Sequence, residues 1–138
     1  MSMIADITPE RGFLHVHVNG DFSLTEAKNM VVQILNALDQ HALQKVLVDG
    51  RQVKGEPSTI ERYMLSEFIA NEMNRGSHAG VSRTTLFVFV GEEPLIDRDR
   101  FGEMVAFNRG ILMKVTDHIE EALRWLKIDP INKSINID

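Results

Sequence analysis

A run of apolar residues in the second half of the chain, residues 84–90, places the strongest constraint on the fold. The run is almost unbroken in β-branched and aromatic residues, without the alternation of a half-exposed strand. A strand of this composition is typical of a parallel sheet that is covered on both faces. A shorter run of the same kind occupies residues 45–49. We therefore expect an α/β protein whose central strands are buried beneath helices.

Two short apolar segments at the start of the chain predict a β-hairpin. Residues 13–18 alternate strictly between apolar positions on one side, beginning with Leu14, and other residues on the opposite side. Residues 3–7 form the partner strand, and residues 8–12 separate the two segments with a proline and a glycine. The chain is therefore expected to open with an antiparallel pair of strands.

Helices and strands are predicted to alternate after the hairpin. Four helices are predicted. The first is capped by Ser23 and ends near Gln40, and the second begins at Ser58. The third spans about residues 98–108, and the fourth begins at a capping pair of Asp117 and Glu120. The predicted strands are residues 45–49, 84–90 and 112–115, and residues 50–57 are predicted to be a polar loop. The second helix is expected to bury a stripe made of Ile60, Met64, Leu65, Phe68 and Ile69.

This order of elements predicts an α/β fold with a mixed β-sheet of about five strands. The N-terminal hairpin is followed by parallel βα units, and about four helices flank the sheet. The length of 138 residues suits a single domain, which we place at residues 1–129, followed by a C-terminal tail at residues 130–138.

Composition narrows the classes of function. The chain has no cysteine, which excludes disulfides, thiolate nucleophiles and zinc sites built on thiolates. A net charge of −5 without a basic block argues against nucleic acid or an anionic membrane as the main partner. No apolar run approaches the length of about 20 residues that spans a bilayer, and the N-terminus does not resemble a secretory signal. We expect a cytoplasmic protein without a transmembrane segment.

The predicted corner between the strand at residues 45–49 and the helix that begins at Ser58 is the candidate ligand site. Open α/β sheets bind ligands beyond the carboxyl ends of their strands, and a helix N-terminus attracts anions. The predicted ligand-binding residues supply cations and helix-start hydroxyls: Arg51, Lys54, Ser58, Thr59, Arg62 and Arg109.

Most of these residues also have a structural interpretation. The cations Arg51, Lys54 and Arg62 can be solvent-exposed charges that pair with Glu56 and Glu61. Ser58 and Glu61 fit a capping box, which leaves open whether Ser58 is phosphorylated or only a helix cap. Arg109 precedes Gly110 at the predicted end of a helix, where it would face the carbonyl ends. The sequence predicts no catalytic residue and no cofactor.

A metal site is not predicted either. His15 and His17 share one strand face, a spacing that can chelate a metal, but no third ligand is evident nearby. We therefore expect them to form a solvent-facing pair.

Several short motifs resemble a family of small bacterial STAS-like proteins. The motifs are Val46-Leu47-Val48-Asp49-Gly50-Arg51, Gly55-Glu56-Pro57-Ser58-Thr59, Glu61-Arg62-Tyr63, Phe101-Gly102-Glu103 and Asn108-Arg109-Gly110. By fold, that family is grouped with anti-sigma-factor antagonists and with CRAL-TRIO lipid-binding domains. The resemblance implies a mixed sheet flanked by helices and a function in binding rather than catalysis.

One motif of the antagonists is not reproduced. Resemblance to them would imply a phosphorylated serine closely following an aspartate at the start of a helix. In this chain Gly50 and Arg51 follow Asp49, and the next serine is Ser58, nine positions on. The resemblance therefore does not imply a phosphorylation switch.

Three functions are compatible with the sequence. The first is a non-enzymatic regulatory or ligand-binding module that docks a small anionic ligand or a protein partner at the corner, with a homodimer as a further option. The second is a carrier of a lipid-like or acyl ligand in an apolar pocket, which we expect to be lined by Met64, Phe68, Met104 or Phe101. The third, an enzyme acting on a phosphorylated substrate, ranks last because no nucleophile with its base can be identified.

Overall fold

The computed structural model describes residues 2–75, 84–97 and 110–128. Five strands form one sheet: β1 (Ile4–Glu10), β2 (Phe13–Asp21), β3 (Lys45–Lys54), β4 (Leu86–Val90) and β5 (Leu112–Thr116). Three helices lie in the described residues: α1 (Leu24–Gln40), α2 (Thr59–Met73) and α3 (Ile119–Leu126). The predicted helix at 98–108 and the predicted tail at 130–138 lie outside the described residues.

The strands occur in the sheet in their chain order. β1 pairs with β2 in antiparallel fashion, and each later strand adds to the sheet in parallel. The predicted mixed sheet of five strands, opened by a hairpin, is therefore confirmed. The first strand is longer than predicted, because Pro9 and Glu10 still pair with β2. A proline is tolerated there because β1 is an edge strand of the sheet.

The larger core lies between one face of the sheet and helices α1 and α2. Right-handed crossovers place the helices that join successive parallel strands on the same face. β2 contributes Leu14 and Val16, which pack with Ile34 and Leu35 of α1. All four side chains are fully buried, and each such burial stabilises the fold by about 1.5–3 kcal/mol.

The opposite face of the sheet is covered by α3. Leu123 and Leu126 of this helix pack on Phe13, Leu47 and Val88. β3 thus turns Val46 and Val48 to one core and Leu47 to the other. This two-sided burial explains why the runs of β3 and β4 are continuously apolar.

The helix starts confirm two predicted caps and correct a third. The hydroxyls of Ser23 and Ser58 each accept a hydrogen bond from the amide three residues later. The predicted capping pair of Asp117 and Glu120 is wrong, because the N-cap of α3 is His118, which makes no side-chain capping bond. The backbone N–H of His118 instead donates to Thr116 Oγ1 at 3.1 Å, which fixes the approach to the helix.

The predicted loop at residues 50–57 is wrong in its first half. β3 continues to Lys54 because residues 52–54 pair with residues 19–21 of β2. Between His17 and Asn19 the partner on β3 shifts from Asp49 to Gln52, so β3 contains one extra residue. Arg51 and Lys54 therefore belong to a strand with a local irregularity rather than to a loop.

The predicted apolar stripe of α2 is also wrong in part. Ile69 is buried and Leu65 and Phe68 are half-buried, but Ile60 and Met64 are exposed. The polar side chains of Ser66 and Glu72 are buried instead. A helix that buries polar residues and exposes apolar ones has a weak amphipathic pattern, and its orientation is then decided by tertiary packing.

None of the helices in the described part of the chain has the length and the apolar composition that crossing a membrane requires.

Candidate functional site

The corner between β3 and α2 is held by a complete capping box. Glu61 N donates to Ser58 Oγ at 3.1 Å, and Ser58 N donates to Glu61 Oε1 at 2.9 Å. Ser58 and Thr59 are both exposed. The predicted role of Ser58 as the helix cap is confirmed, while a bound anion or phosphate at this point stays a prediction.

Arg51 is engaged by the buried carboxylate of Asp49. Its Nε and Nη2 atoms donate to the two oxygens of Asp49 at 2.9 and 2.8 Å, and its backbone N–H donates to Oδ1 at 3.2 Å. Burial alone would raise the pKa of the Asp49 carboxyl, but the hydrogen bonds and charge of Arg51 outweigh it and hold that pKa below its usual value. The pair locks the irregular part of β3, where the register shifts.

Arg62 points toward the segment that follows β4. Its Nη1 donates to the carbonyl oxygen of Leu95 at 2.6 Å, and its Nη2 donates to that of Pro94 at 2.9 Å. The guanidinium also lies 3.8 Å from Asp97, and the side chain is 13% exposed. Arg62 therefore ties α2 to a segment more than thirty residues away in sequence.

The predicted ligand residues consequently occupy three different surroundings. Lys54, Ser58 and Thr59 are exposed together at the corner. Arg51 lines a polar cleft with residues of α3, on the other side of the sheet, and Arg62 lines an apolar cavity beside α2. The structure therefore does not gather these three cations around one point, and Arg109 lies outside the described residues.

An exposed apolar patch, which the sequence did not predict, lies beside the corner. Ile60, Tyr63 and Met64, which we call the α2 patch, are 68%, 38% and 39% exposed. Positions spaced three and four apart share one face of a helix. Among the described residues they are three of the five large apolar side chains that are strongly exposed. The sequence signal for this patch is the weak amphipathicity of α2, which by itself does not distinguish an exposed apolar face from a core-facing stripe.

Acidic side chains are close to the α2 patch in the chain. Glu56 is exposed, and Glu61 and Glu67 are half-buried on α2. The hydroxyl of Tyr63 donates to Glu67 Oε2 at 2.8 Å, which orients the aromatic ring. The surface thus combines an apolar centre with a mainly acidic rim.

The apolar cavity lies on the sheet face that α1 and α2 cover. Its volume is about 100 Å³, and its walls include Val18, Ala27, Met30, Leu65, Ile69 and Phe87. The predicted lining residues Met64 and Phe68 are not among its described walls, and Phe101 and Met104 lie outside the described residues. A cavity therefore exists in the described structure, and α2 contributes Leu65 and Ile69 of the predicted stripe to its wall rather than Met64 and Phe68.

The histidine pair is more enclosed than predicted. His15 and His17 are both half-buried, and His15 Nε2 is buried without a hydrogen-bond partner. Burial lowers the pKa of His15, although the nearby carboxylates of Asp49 and Glu10 partly oppose this effect. Within residues 2–75, 84–97 and 110–128, no three histidine or carboxylate side chains are placed to hold a metal ion.

Comparison with known proteins identifies the fold. No protein-family model matches the sequence, and no curated protein matches it. The crystal structure of an anti-sigma factor antagonist from Mycobacterium paratuberculosis is similar, with a TM-score of 0.59 and 15% sequence identity over 91% of this chain and 95% of that chain. A likeness at this identity establishes the fold alone. The chain therefore has the STAS-like fold of that anti-sigma factor antagonist, as the sequence motifs predicted.

Proposed function

We propose that this protein is a non-enzymatic regulatory module that docks a protein partner on the α2 patch. The observation that carries the proposal is the exposure of Ile60, Tyr63 and Met64 on one face of one helix. Exposed apolar side chains that cluster in this way are typical of interaction sites. The similar antagonist of the same fold is, by its name, a protein that opposes another protein, which agrees with a docking function.

The chemistry of the surface defines the kind of partner. A central apolar group packs best against apolar anchors on the partner, and aromatic residues such as Tyr63 are frequent binding hot spots. The acidic rim at Glu56, Glu61 and Glu67 favours lysine and arginine residues around those anchors. We therefore propose a partner that presents an apolar segment flanked by basic residues.

The docking proposal retains part of the predicted ligand site. Ser58 and Thr59, which are exposed and directly precede Ile60, supply polar contacts at the edge of the α2 patch, and Lys54 is exposed at the end of β3. Arg51 and Arg62 serve the fold through their bonds to Asp49 and to the carbonyls of Leu95 and Pro94. A ligand role for Arg109 stays a prediction.

A photo-crosslinking amino acid at position 63 tests this proposal in cells of the source organism. The captured protein is then purified and titrated against wild-type protein and against the double variant Ile60→Asp, Met64→Asp. We expect the double variant to weaken binding by at least about tenfold, because each apolar anchor of a hot spot contributes about 1–2 kcal/mol or more. Raising the salt concentration should slow association of the wild type, because the rim is charged.

The matched control is Ile4→Asp. Ile4 is 53% exposed, like the residues of the α2 patch, but lies on the edge strand β1. This variant should bind with wild-type affinity. Equal binding by the double variant, or turnover of a phosphorylated substrate by the purified protein, would contradict the proposal. Light scattering tests whether the partner is a second copy of this chain. A dimer of the wild type that becomes a monomer in the double variant Ile60→Asp, Met64→Asp would identify the second copy as the partner.

A further inference from the structure

The cavity beside α2 has no part in the proposed docking function. α1 contributes Ala27 and Met30 to its walls, α2 contributes Leu65 and Ile69, and the sheet contributes Val18 and Phe87. These six side chains are apolar, and all except Leu65 are buried. A site of this kind offers water few hydrogen bonds, so water gains little by entering it.

The polar groups at the cavity do not offer a charge to a ligand. Arg62 is a lining residue, but its two terminal nitrogens donate to the carbonyl oxygens of Leu95 and Pro94. Asp97, also in the lining, lies 3.8 Å from the same guanidinium. The opposite charges of Arg62 and Asp97 largely cancel each other. A charged ligand would therefore lose its hydration without finding an opposite charge in the cavity.

The volume limits the size of the ligand. An engineered apolar cavity of about 150 Å³ holds benzene, so a cavity of about 100 Å³ suits a molecule no larger than benzene. Long acyl chains are too large to enter completely. Met3, Met30 and Met113 all contribute to the walls, and methionine side chains adapt easily to the shape of a ligand.

We infer that this cavity is a binding site for a small, neutral, apolar molecule, no larger than one six-membered ring or a short alkyl chain. The inference stands apart from the docking function, because it concerns the inner side of α2 rather than the exposed α2 patch. Binding buries the hydrocarbon of the ligand against side chains that already form the core, and it requires no rearrangement of the sheet.

Benzene and a series of straight-chain alcohols are the probes for the test. Methyl resonances of Met30, Leu65 and Ile69 are recorded by NMR as each probe is added to the full chain. We expect benzene to shift these resonances to saturation. Affinity for the alcohols should rise about fourfold with each added methylene, and the rise should stop once the cavity is filled. Benzene at ten times its dissociation constant should raise the melting temperature by about 5 °C.

Two variants of α1 distinguish binding inside this cavity from nonspecific binding of the probes to other apolar surfaces of the protein. Ala27→Leu extends a side chain into the cavity, whereas Ala37→Leu adds the same group at a half-buried position of α1 outside the described lining. Ala27→Leu should abolish the benzene response or shorten the longest alcohol that binds, and Ala37→Leu should respond as the wild type does. If Ala27→Leu does not fold, Val53→Leu fills the same cavity from β3.

Two results would overturn the inference. The first is a folded wild type whose methyl resonances do not move with benzene near its solubility limit in water. The second is an equal response in wild type and in the folded cavity-filling variant. Because neither measurement involves a protein partner, failure here leaves the docking proposal untouched.

Discussion

Replacing Arg51 by methionine should destabilise the protein strongly at neutral pH. Asp49 is 4% exposed, and Arg51 supplies both of its side-chain hydrogen bonds. In the methionine variant, the buried carboxylate of Asp49 would keep only one hydrogen bond from residue 51, the one donated by the backbone N–H. Breaking a fully buried ion pair by removing one partner costs about 3–5 kcal/mol. The Arg51 side chain is 18% exposed, so water can reach the vacated position, and we expect a loss of about 2–4 kcal/mol.

The loss should depend on pH with a defined sign. In the wild type the folded-state pKa of Asp49 lies below the unfolded value, so its charged form stabilises the fold above that value. That stability disappears as the pH falls through the folded-state pKa. Without Arg51, burial dominates and raises the pKa of Asp49, so the variant loses stability as the pH rises. The difference between the two proteins should therefore be largest near pH 7 and shrink below about pH 4.

Urea denaturation followed by the fluorescence of Trp125 measures both effects. Trp125 is the single tryptophan and packs at the α3 core. Adding Asp49→Asn to the Arg51→Met variant should recover part of the stability at pH 7, because a neutral amide is less costly to bury than an unpaired carboxylate. The control Arg11→Met, at an exposed turn position, should change stability by less than about 0.5 kcal/mol. A pH-independent loss in Arg51→Met, or a loss no larger than that of the control, would refute this account of the pair.

Two further predictions concern the helix cap and the half-buried His15. Ser58→Ala should lower the free energy of unfolding by about 1 kcal/mol, because it removes the hydroxyl that accepts a hydrogen bond from Glu61 N. Thr59→Ala should have little effect, and equal losses of the two variants in thermal denaturation would contradict the assignment of Ser58 as the cap. The wild type should lose stability as the pH falls through about 6.5, because His15 binds a proton in the unfolded chain before it does so in the folded protein. His15→Gln should reduce this slope in denaturation curves measured between about pH 7 and pH 5, and an unchanged slope would show that other groups cause it.

The elements set by local chemistry were predictable from the sequence. The alternating residues of β2 and the continuously apolar runs of β3 and β4 each gave the correct kind of strand. The cap at Ser58 was predictable because the capping box needs only a hydroxyl and a carboxylate three residues apart. The parallel arrangement followed from the alternation of strands and helices along the chain.

Features that depend on distant neighbours were not predictable. The last residues of β3 are strand because they pair with the end of β2, and nothing in Gly50-Arg51-Gln52 indicates that pairing. Likewise, the orientation of α2 follows from its packing on α1 and from the bonds of Arg62 to the segment after β4. For this reason, replacing Arg51 and Arg62 together would not test ligand binding alone, since both side chains also hold the fold.

The ring of Phe89 lies against two glycines, Gly91 two residues later in the chain and Gly50 on the neighbouring strand. A Cβ atom at position 50 would lie 2.8 Å from Phe89 Cζ, and one at position 91 would lie 3.1 Å from Phe89 Cε1. The aromatic ring therefore occupies space that two glycines leave open. An alanine at position 50 would force the ring of Phe89 to move, so a smaller side chain at position 89 should make it easier to accommodate, whereas an alanine at position 91 would also press on Leu95 and Ile96. In divergent relatives, residues 50 and 89 should therefore vary together, and this pair would help to align sequences whose overall identity is too low to align otherwise.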